Sequence, residues 1–561
     1  MNAPHKRVLG TRVVLDVAIV VGIFLVSASF LPIADAPPLV DEPIFASSAF
    51  EWVQTGTVNI SGLSAPNAVF DTVWGGLFVR LFGQTYAALR WSTIALTALS
   101  APFFYWLLRQ VSARHSAALL GTAAYLFSPL VFALSTTFMT DMHASALGII
   151  ATAFFVRAFR QPQPQSKWLI LGSAVASVGF LNRQQVLVVP IAALLTSCVR
   201  PTSFRPLLRH AIAIAGPPTV TYIFYDFWSR SVEVPFIRTL SMDALAARFI
   251  PEIGPFLAKA AIMAVVYTGI IALPLASLLV SRSHLKRQHP VSFAFAGGAG
   301  LLGLLAVFLD LDPTSRQTWV SRTGLAAVDR SHLGERPELW PWAVQALIVV
   351  LALFLTVLTI RAVVLNWPRN LGRIRILLML EMAGFIAAAV LSSMTFHRAV
   401  LDRYWLPLIP LTITLIVAVA RISRFRIWLA AAGVALVGAF GVIGMYDGLV
   451  AQREVVRFAN DAIASGIDPL RFDGGAPWSA ITFGVADKDG PLYLLNRVGP
   501  YWLKFYAVES DPVYGVALEP LEGYEILERR EFPSILHLHP TFVYLVRRDS
   551  SNGYFVRAED F

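Results

Sequence analysis

The chain has 561 residues, of which 56% are hydrophobic and only 14% charged, with a formal charge of +10. Soluble domains carry roughly a quarter charged residues, so the composition excludes an ordinary soluble enzyme and predicts a polytopic membrane protein. The basic excess does not read as nucleic-acid binding, because Lys and Arg sit in short clusters between apolar runs, where orientation signals belong.

In chain order, runs able to span a bilayer lie near 13–33, 86–108, 116–136, 142–160, 167–182, 185–199, 208–228, 257–281, 291–309, 340–365, 375–394, 404–420 and 427–446. That predicts about thirteen helices by the ~20-residue criterion. The stretch 167–199 reads either as one interrupted hairpin or as two short helices. The first run is too long for a signal-peptide core, although "SAS" at 27–29 loosely resembles a cleavage site, and is read as a retained helix. With the N-terminus inside, the inner segments hold Arg109 and Arg114, then Arg157, Arg160 and Lys167, then Arg200, Arg205 and Arg209. Arg282, Lys286 and Arg287 follow, then Arg369, Arg373 and Arg375, and finally Arg421, Arg424 and Arg426, with no Asp or Glu among them. This is the positive-inside pattern. It places 34–85, the turn at 137–141, 229–256, 310–339, 395–403 and everything after 447 outside.

The first outer segment, 34–85, is more than a loop. "DEPIFASSAFEWVQTG" and "AVFDTVWGGLFVRLFG" carry apolar and aromatic residues at helical spacing and predict two amphipathic helices lying in the interface. After 447 the pattern changes: "ITFGV", "PLYLL", "YGVAL", "YEILE" and "TFVYLV" are short β-type runs broken by Gly, Pro and charge. The expected organisation is a membrane domain over 1–446 and a small external α/β domain over 447–561. The sole cysteine, Cys198, permits no internal disulfide and reads as an apolar filler.

Several outer-side groups could carry chemistry. Asp41 and Glu42 sit where the chain leaves the first helix, ahead of an interfacial helix. A carboxylate held at a membrane surface is partly desolvated, its pKa is biased upward, and it suits a general base; the plain alternative is a solvated acid pair. Asp141, in "TTFMTDMHAS", is either a second active acid or, with Thr140, a helix cap. His143 could join it on a divalent ion, but two ligands do not make a metal site. Arg183 and Arg403 lie at outer helix ends where few cations are expected, and His397, Arg398 and Tyr404 lie beside Arg403. Such a cluster can hold an anionic head group, most simply a phosphate, although single arginines also snorkel to anchor helix ends. Glu381, inside the eleventh helix, is expected to pair with an Arg or to snorkel inward. Asp310 and Asp312 open a long loop that is either a mobile cover or a solvated connector. No nucleotide-binding glycine motif is found, which argues against an ATP-driven pump.

In order and sidedness, the "DE" after the first helix, the "TD" in the next outer turn and the late "RYWLPLIPL" resemble membrane glycosyltransferases of the GT-C superfamily. The branch is that of the protein O-mannosyltransferases and the lipid A aminoarabinose transferases. The resemblance covers 1–446 and implies a GT-C fold in a bacterial-type inner membrane, with a cytoplasmic N-terminus and a periplasmic or extracellular C-terminal domain. It implies a polyprenyl-phosphate sugar donor, a glycan, lipid or protein acceptor, and inversion at the anomeric carbon. Asp41 takes the catalytic acid position with Glu42 beside it, Asp141 the second external acid, and Arg403 and Tyr404 the late "RY". Two departures stand out. Asn182-Arg183 replaces a Lys-Gly pair, and Asp141-Met142-His143 replaces the DxD of metal-dependent members, so the resemblance calls for no cofactor and leaves a divalent metal at Asp141 and His143 as an open alternative. The rival reading is a transporter or flippase of lipid-linked sugars; a third is an external scaffold.

Overall fold

The computed structural model describes residues 3–61, 64, 67–112, 114–161, 163–199, 203–232, 253–279, 319–396, 401–420, 423–484, 502–503, 506 and 510–549. Its first helix, α1 (Ala3–Ser29), leads to two short helices, α2 (Glu42–Thr55) and α3 (Val69–Phe82), where the amphipathic pattern predicts them. These two pack closely: Gly76 sits under the Trp52 ring, and the Arg80 guanidinium stacks 4.4 Å over that indole.

Next come α4 (Tyr86–Val111), α5 (His115–Leu126), α6 (Pro129–Ser135), α7 (Thr140–Phe159) and α8 (Ser166–Phe180). Between α5 and α6 the axis bends by 58°. Pro129 opens α6 and holds Ser128 in an extended conformation, which helix geometry cannot pass through. The predicted run 167–199 resolves into α8, a 3-10 turn (Gln184–Leu187) and α9 (Val188–Cys198). The helices α10 (Phe204–Ser231), α11 (Ile253–Ala272, prolonged by short turns to Leu279), α12 (Trp342–Asn366), α13 (Gly372–Phe396), α14 (Leu408–Val419) and α15 (Arg424–Ala464) complete the bundle.

Among the described residues, seven helices are long and apolar enough to cross a membrane, or eight with the bent α5–α6 pair as one span. Each predicted run within the described residues is helical, and 291–309 lies outside them. Burial sorts centre from rim. The spanning windows of α7 and of Asp402–Val419 are 89% and 94% buried, against 28% for α15, so the first two form the middle of the bundle and α15 faces outward.

The helix α15 does not stop at 446. It continues unbroken to Ala464 and carries a sheet whose four strands among the described residues are β3 (Phe472–Asp473), β4 (Tyr514–Ala517), β5 (Tyr524–Phe532) and β6 (Thr541–Arg548). The order is β3-β4-β6-β5, with β3 parallel to β4 and the other pairs antiparallel. "YGVAL", "YEILE" and "TFVYLV" form strands here. "ITFGV" does not: Ile481–Phe483 end a helix, α16 (Gly475–Phe483), whose Trp478 packs on Phe472 and shares a hydrogen bond with Asn460. "PLYLL" lies outside the described residues.

The segment 319–339 is neither a mobile cover nor a solvated connector. It folds as a two-residue ladder, β1 (Val320–Ser321) against β2 (Gly324–Leu325), wedged between α15 and the sheet. Leu325, Val328 and Ser331 are fully buried, and Gly444 and Gly448 on α15 leave room for Leu325 and Ala326. Ala326 and Ala327 take left-handed backbone conformations at this close approach. Leu518 and Ala476 donate their N–H groups to the Leu333 and Ser331 carbonyls, tying the wedge to β4 and α16. Asp310 and Asp312 lie outside the described residues.

Candidate active site

The late "DRYW" forms a 3-10 turn (Asp402–Trp405) ahead of α14. Its first two side chains part. Asp402 is fully buried and accepts the Val320 N–H (3.0 Å), which anchors the wedge. Arg403, 6% exposed, turns the other way and donates to Asp41 Oδ2 at 2.8 Å, although 362 positions separate them.

Asp41 is presented by a strained turn. Val40 has φ 48, a region where a β-branched residue is a genuine outlier. Such strain costs on the order of 1–3 kcal/mol and persists only where the surroundings enforce it. Here the Tyr506 hydroxyl donates to the Val40 carbonyl, and the Leu39 N–H is held by Glu42. The turn sends neighbouring carboxylates in different directions.

Glu42 is fully buried against a fully buried Arg90, with Arg90 Nε to Oε1 at 3.1 Å and Nη2 to Oε2 at 2.6 Å. The remaining donors of Arg90 go to the carbonyls of Ile33, Ala36 and Pro37. Glu42 also accepts the N–H groups of Leu39 (2.7 Å) and Phe138 (2.6 Å). Every hydrogen-bonding direction of this carboxylate is occupied by fixed donors. Because Phe138 is three residues before Asp141, the pair also ties the first acid turn to the second.

Asp141 opens α7 and is nearly buried. Arg183 forks onto it, with Nη1 3.0 Å from Oδ1 and Nη2 donating to Oδ2 at 3.3 Å, while its Nε donates to Thr140 Oγ1 (2.8 Å). Asn182 donates to the Thr140 carbonyl, so the chain leaving α8 is fastened to the start of α7. Tyr404 lies between the cations, its ring centre 6.0 Å from the Arg183 guanidinium and 5.7 Å from that of Arg403. Asp41, Asp141, Arg183, Arg403 and Tyr404 thus converge. His397 and Arg398 lie outside the described residues.

His143 does not join Asp141. Two positions apart on α7, they point about 200° apart, and His143 Nδ1 lies 3.0 Å from Asp71 Oδ1 and 3.1 Å from the Met139 carbonyl, which accepts from it. Among the described residues no group of three His, Cys, Asp or Glu side chains could hold a metal ion. The residues at hand do not fit a resident divalent ion.

Beside the cluster a largely apolar pocket opens between α7, the 184–187 turn, α13 and α14, lined by Leu107, Ile149, Phe385 and Leu411 among others. Gln185 and Pro407 on its wall follow closely on Arg183 and Arg403. Glu381 also lines it, fully buried and accepting from Thr152 Oγ1 at 3.0 Å. It neither snorkels nor pairs with an arginine among the described residues, because its position on α13 faces α7 rather than a helix end.

Sequence reading passed over Arg90 and Asp71. Arg90 carried the same signal as Arg183, a cation at the end of an apolar run; Asp71 is a lone acid on an apolar helix face.

Residues 74–225 match the family described as dolichyl-phosphate-mannose-protein mannosyltransferase. That interval holds Arg90, Asp141 and Arg183 but not Asp41, Arg403 or Tyr404. The undecaprenyl phosphate-alpha-4-amino-4-deoxy-L-arabinose arabinosyl transferase of Yersinia enterocolitica is 30% identical over 141 residues, 24% of this chain and 25% of that protein. The chain thus spans about a quarter of the length of this curated relative. Among solved structures, ArnT from Cupriavidus metallidurans bound to undecaprenyl phosphate aligns over 97% of this chain and 99% of its own at 14% identity, with a TM-score of 0.38. The Archaeoglobus fulgidus oligosaccharyltransferase in its apo form aligns over 81% and 58% at 11% identity, with a TM-score of 0.40. Through residues 74–225, the chain resembles the GT-C membrane glycosyltransferases, in the branch of the protein O-mannosyltransferases and the lipid A aminoarabinose transferases.

Proposed function

We propose that this chain is an integral membrane glycosyltransferase. It moves a sugar from a polyprenyl-phosphate donor to a hydroxyl of a glycan, lipid A-type lipid or protein, with inversion. The observation that carries the reading is the Asp41–Arg403 pair: a carboxylate 26% exposed, bound to a cation that stands across Tyr404 from the Arg183–Asp141 fork.

The acceptor oxygen attacks the anomeric carbon, its proton passes to Asp41, and the bond from that carbon to the phosphate oxygen breaks. The lipid phosphate leaves with its negative charge held by Arg403 and Arg183. Arg403 binds Asp41, and a cation on a carboxylate lowers its basicity. A donor phosphate competes with Asp41 for Arg403 and so weakens the hold of that cation on the carboxylate. Glu42 has no such freedom, so of the two acids Asp41 is the base and Glu42 holds the turn. The apolar pocket beside the arginines suits the first units of the lipid chain.

The basic inner segments support the finer topology: about thirteen crossings, N-terminus cytoplasmic, the acids and the 447–561 α/β domain on the external face of a bacterial-type inner membrane. A transporter or flippase is favoured less, because carriers place their charges at broken helices near the midplane, whereas these gather at one end of the bundle.

Washed membranes supplied with a polyprenyl-phosphate sugar test the reading. Transfer to an added acceptor is expected, and Asp41→Asn should reduce it by about 10²–10⁴-fold, the usual contribution of a general base. Movement of the lipid-linked sugar across the bilayer without transfer would make the protein a carrier.

A further inference from the structure

The loop 533–540 joins β5 to β6 and carries two conspicuous apolar side chains, Ile535 (64% exposed) and Leu538 (92% exposed). Sequence patterning gave them no role, and they are not among the acids and arginines described above. Their surroundings fix where the loop stands relative to the bilayer.

Asp447 on α15 gathers the loop. It accepts the Ser534 hydroxyl at 2.7 Å and the N–H groups of Ile535 (2.9 Å) and Leu536 (2.7 Å). Leu536 turns inward toward Gly444, and His537 Nε2 donates to the Pro337 carbonyl at 3.0 Å. Farther along α15, Arg530 bonds Asp461 at 2.6 Å and lies 4.3 Å over the Phe458 ring. Strand β5 therefore runs down α15 toward the bundle, and its hairpin tip meets the helix at Asp447.

The depth of Asp447 follows from helix geometry. It stands 23 residues after Arg424, or roughly 34 Å at 1.5 Å per residue. The hydrocarbon core is about 30 Å thick, and residues 427–446 are an unbroken uncharged, mostly apolar run. Asp447 is thus the first charge after the crossing and lies at the interface on the sheet side. The neighbouring surface agrees. Trp340 packs on Phe440 of α15 with ring centres 5.9 Å apart, and Trp342, 69% exposed, begins α12. Tryptophans at a span's end mark the head-group level. The loop is continuous with this belt.

We propose that the 533–540 hairpin tip is a membrane-docking element, with Ile535 and Leu538 seated among the lipids of the leaflet on the sheet side. The occupant is the bilayer rather than a protein partner, because the tip is fastened at the depth where the lipid-facing surface of α15 ends. Docked there, the sheet is held at the membrane by two points, α15 and the hairpin. It cannot pivot about the helix, and its contact with the Val40–Asp41 turn through Tyr506 stays fixed.

The test uses the full chain in lipid nanodiscs with Cys198→Ser, so that Leu538→Cys, Ile535→Cys or Glu528→Cys can each carry one environment-sensitive fluorophore. Glu528, on the exposed face of β5, is the water-side control. Residues 535 and 538 project away from the core, and an unchanged unfolding temperature confirms the fold for each variant. Labels at 535 and 538 should emit at shorter wavelength than at 528 and be quenched at least about twofold more by lipids brominated high on the acyl chain. Emission at both positions matching that at 528 would overturn the proposal. So would a blue shift without lipid quenching, which would mean that a protein surface covers the tip.

Discussion

Asp41 binds Arg403 from a partly exposed position after a strained residue, whereas Glu42 has Arg90, two backbone N–H donors and no exposure. Removing one partner of a buried ion pair leaves an uncompensated charge, at a cost of about 3–5 kcal/mol. Arg90→Ala should therefore lower the amount of folded protein and its unfolding temperature in detergent. Asp41→Asn, at a partly exposed carboxylate and with an amide that still accepts from Arg403, should lower that temperature less than Arg90→Ala and reduce transfer by about 10²–10⁴-fold. If Arg90→Ala protein were as stable as wild type yet inactive, Glu42 would have to be moved into the chemistry. His332 gives a second expectation at this scale. Burial pushes its imidazole down to about 4, with Nε2 donating to Gln452 Oε1 at 2.6 Å. The unfolded chain, with a histidine near its ordinary value of about 6.5, binds the proton first. Stability is thus fully present above that value and is lost as pH falls toward 4, by on the order of 3 kcal/mol. Unfolding measured between pH 7 and 4.5 should show this loss, and His332→Gln should flatten it.

At the scale of elements, α15 and the wedge beside it decide where the site's parts stand. The wedge reaches Asp402 through Val320, next to Arg403, and lies against α15 only because Gly448 lacks a side chain where Leu325 and Ala326 pass. Gly448→Val would force the wedge outward, an overpacking cost of about 1–3 kcal/mol. The expected result is a lower unfolding temperature together with reduced transfer, and Gly466→Val, at a position with open space around it but a left-handed backbone, should cost stability without touching the site. Elements were also where sequence reading was strongest and where it failed most clearly. A ~20-residue apolar run must bury its backbone as a helix in a membrane, so the helices could be read directly. "ITFGV" could not, because a short apolar run carries no period that separates strand from helix; contact of Trp478 with Phe472 decided it. The wedge was unreadable for a related reason. Its mixed charge looks like a solvated loop until Arg336 is seen paired with Asp329 inside it.

For the whole molecule, the site is an agreement among segments far apart in the chain: a turn after α1, the start of α7, the end of α8 and the turn before α14. The residue types and their order were legible because cations and acids at the ends of apolar runs are costly near a membrane and few in number. Their pairing was not, since nothing in a sequence says that Arg403 reaches Asp41 rather than Asp141, or that Arg90 claims Glu42. The sheet belongs to the same agreement. Ile44, two residues after Glu42, packs with Ala476, Ala480, Trp502, Leu503 and Tyr506. Trp502→Ala, a large loss from this buried cluster, should cost about 3–5 kcal/mol of local stability. It should reduce transfer while leaving membrane insertion intact.

The central claim is that Asp41 and the donor phosphate compete for Arg403. It is tested most directly by the dissociation constant of polyprenyl phosphate, measured in nanodiscs for wild type, Asp41→Asn and Arg403→Ala. With the competing carboxylate neutralised, Asp41→Asn should bind the lipid phosphate about tenfold more tightly than wild type, a difference of about 1.4 kcal/mol, while Arg403→Ala binds it more weakly. Unchanged or weaker binding by Asp41→Asn, with transfer retained, would contradict the account.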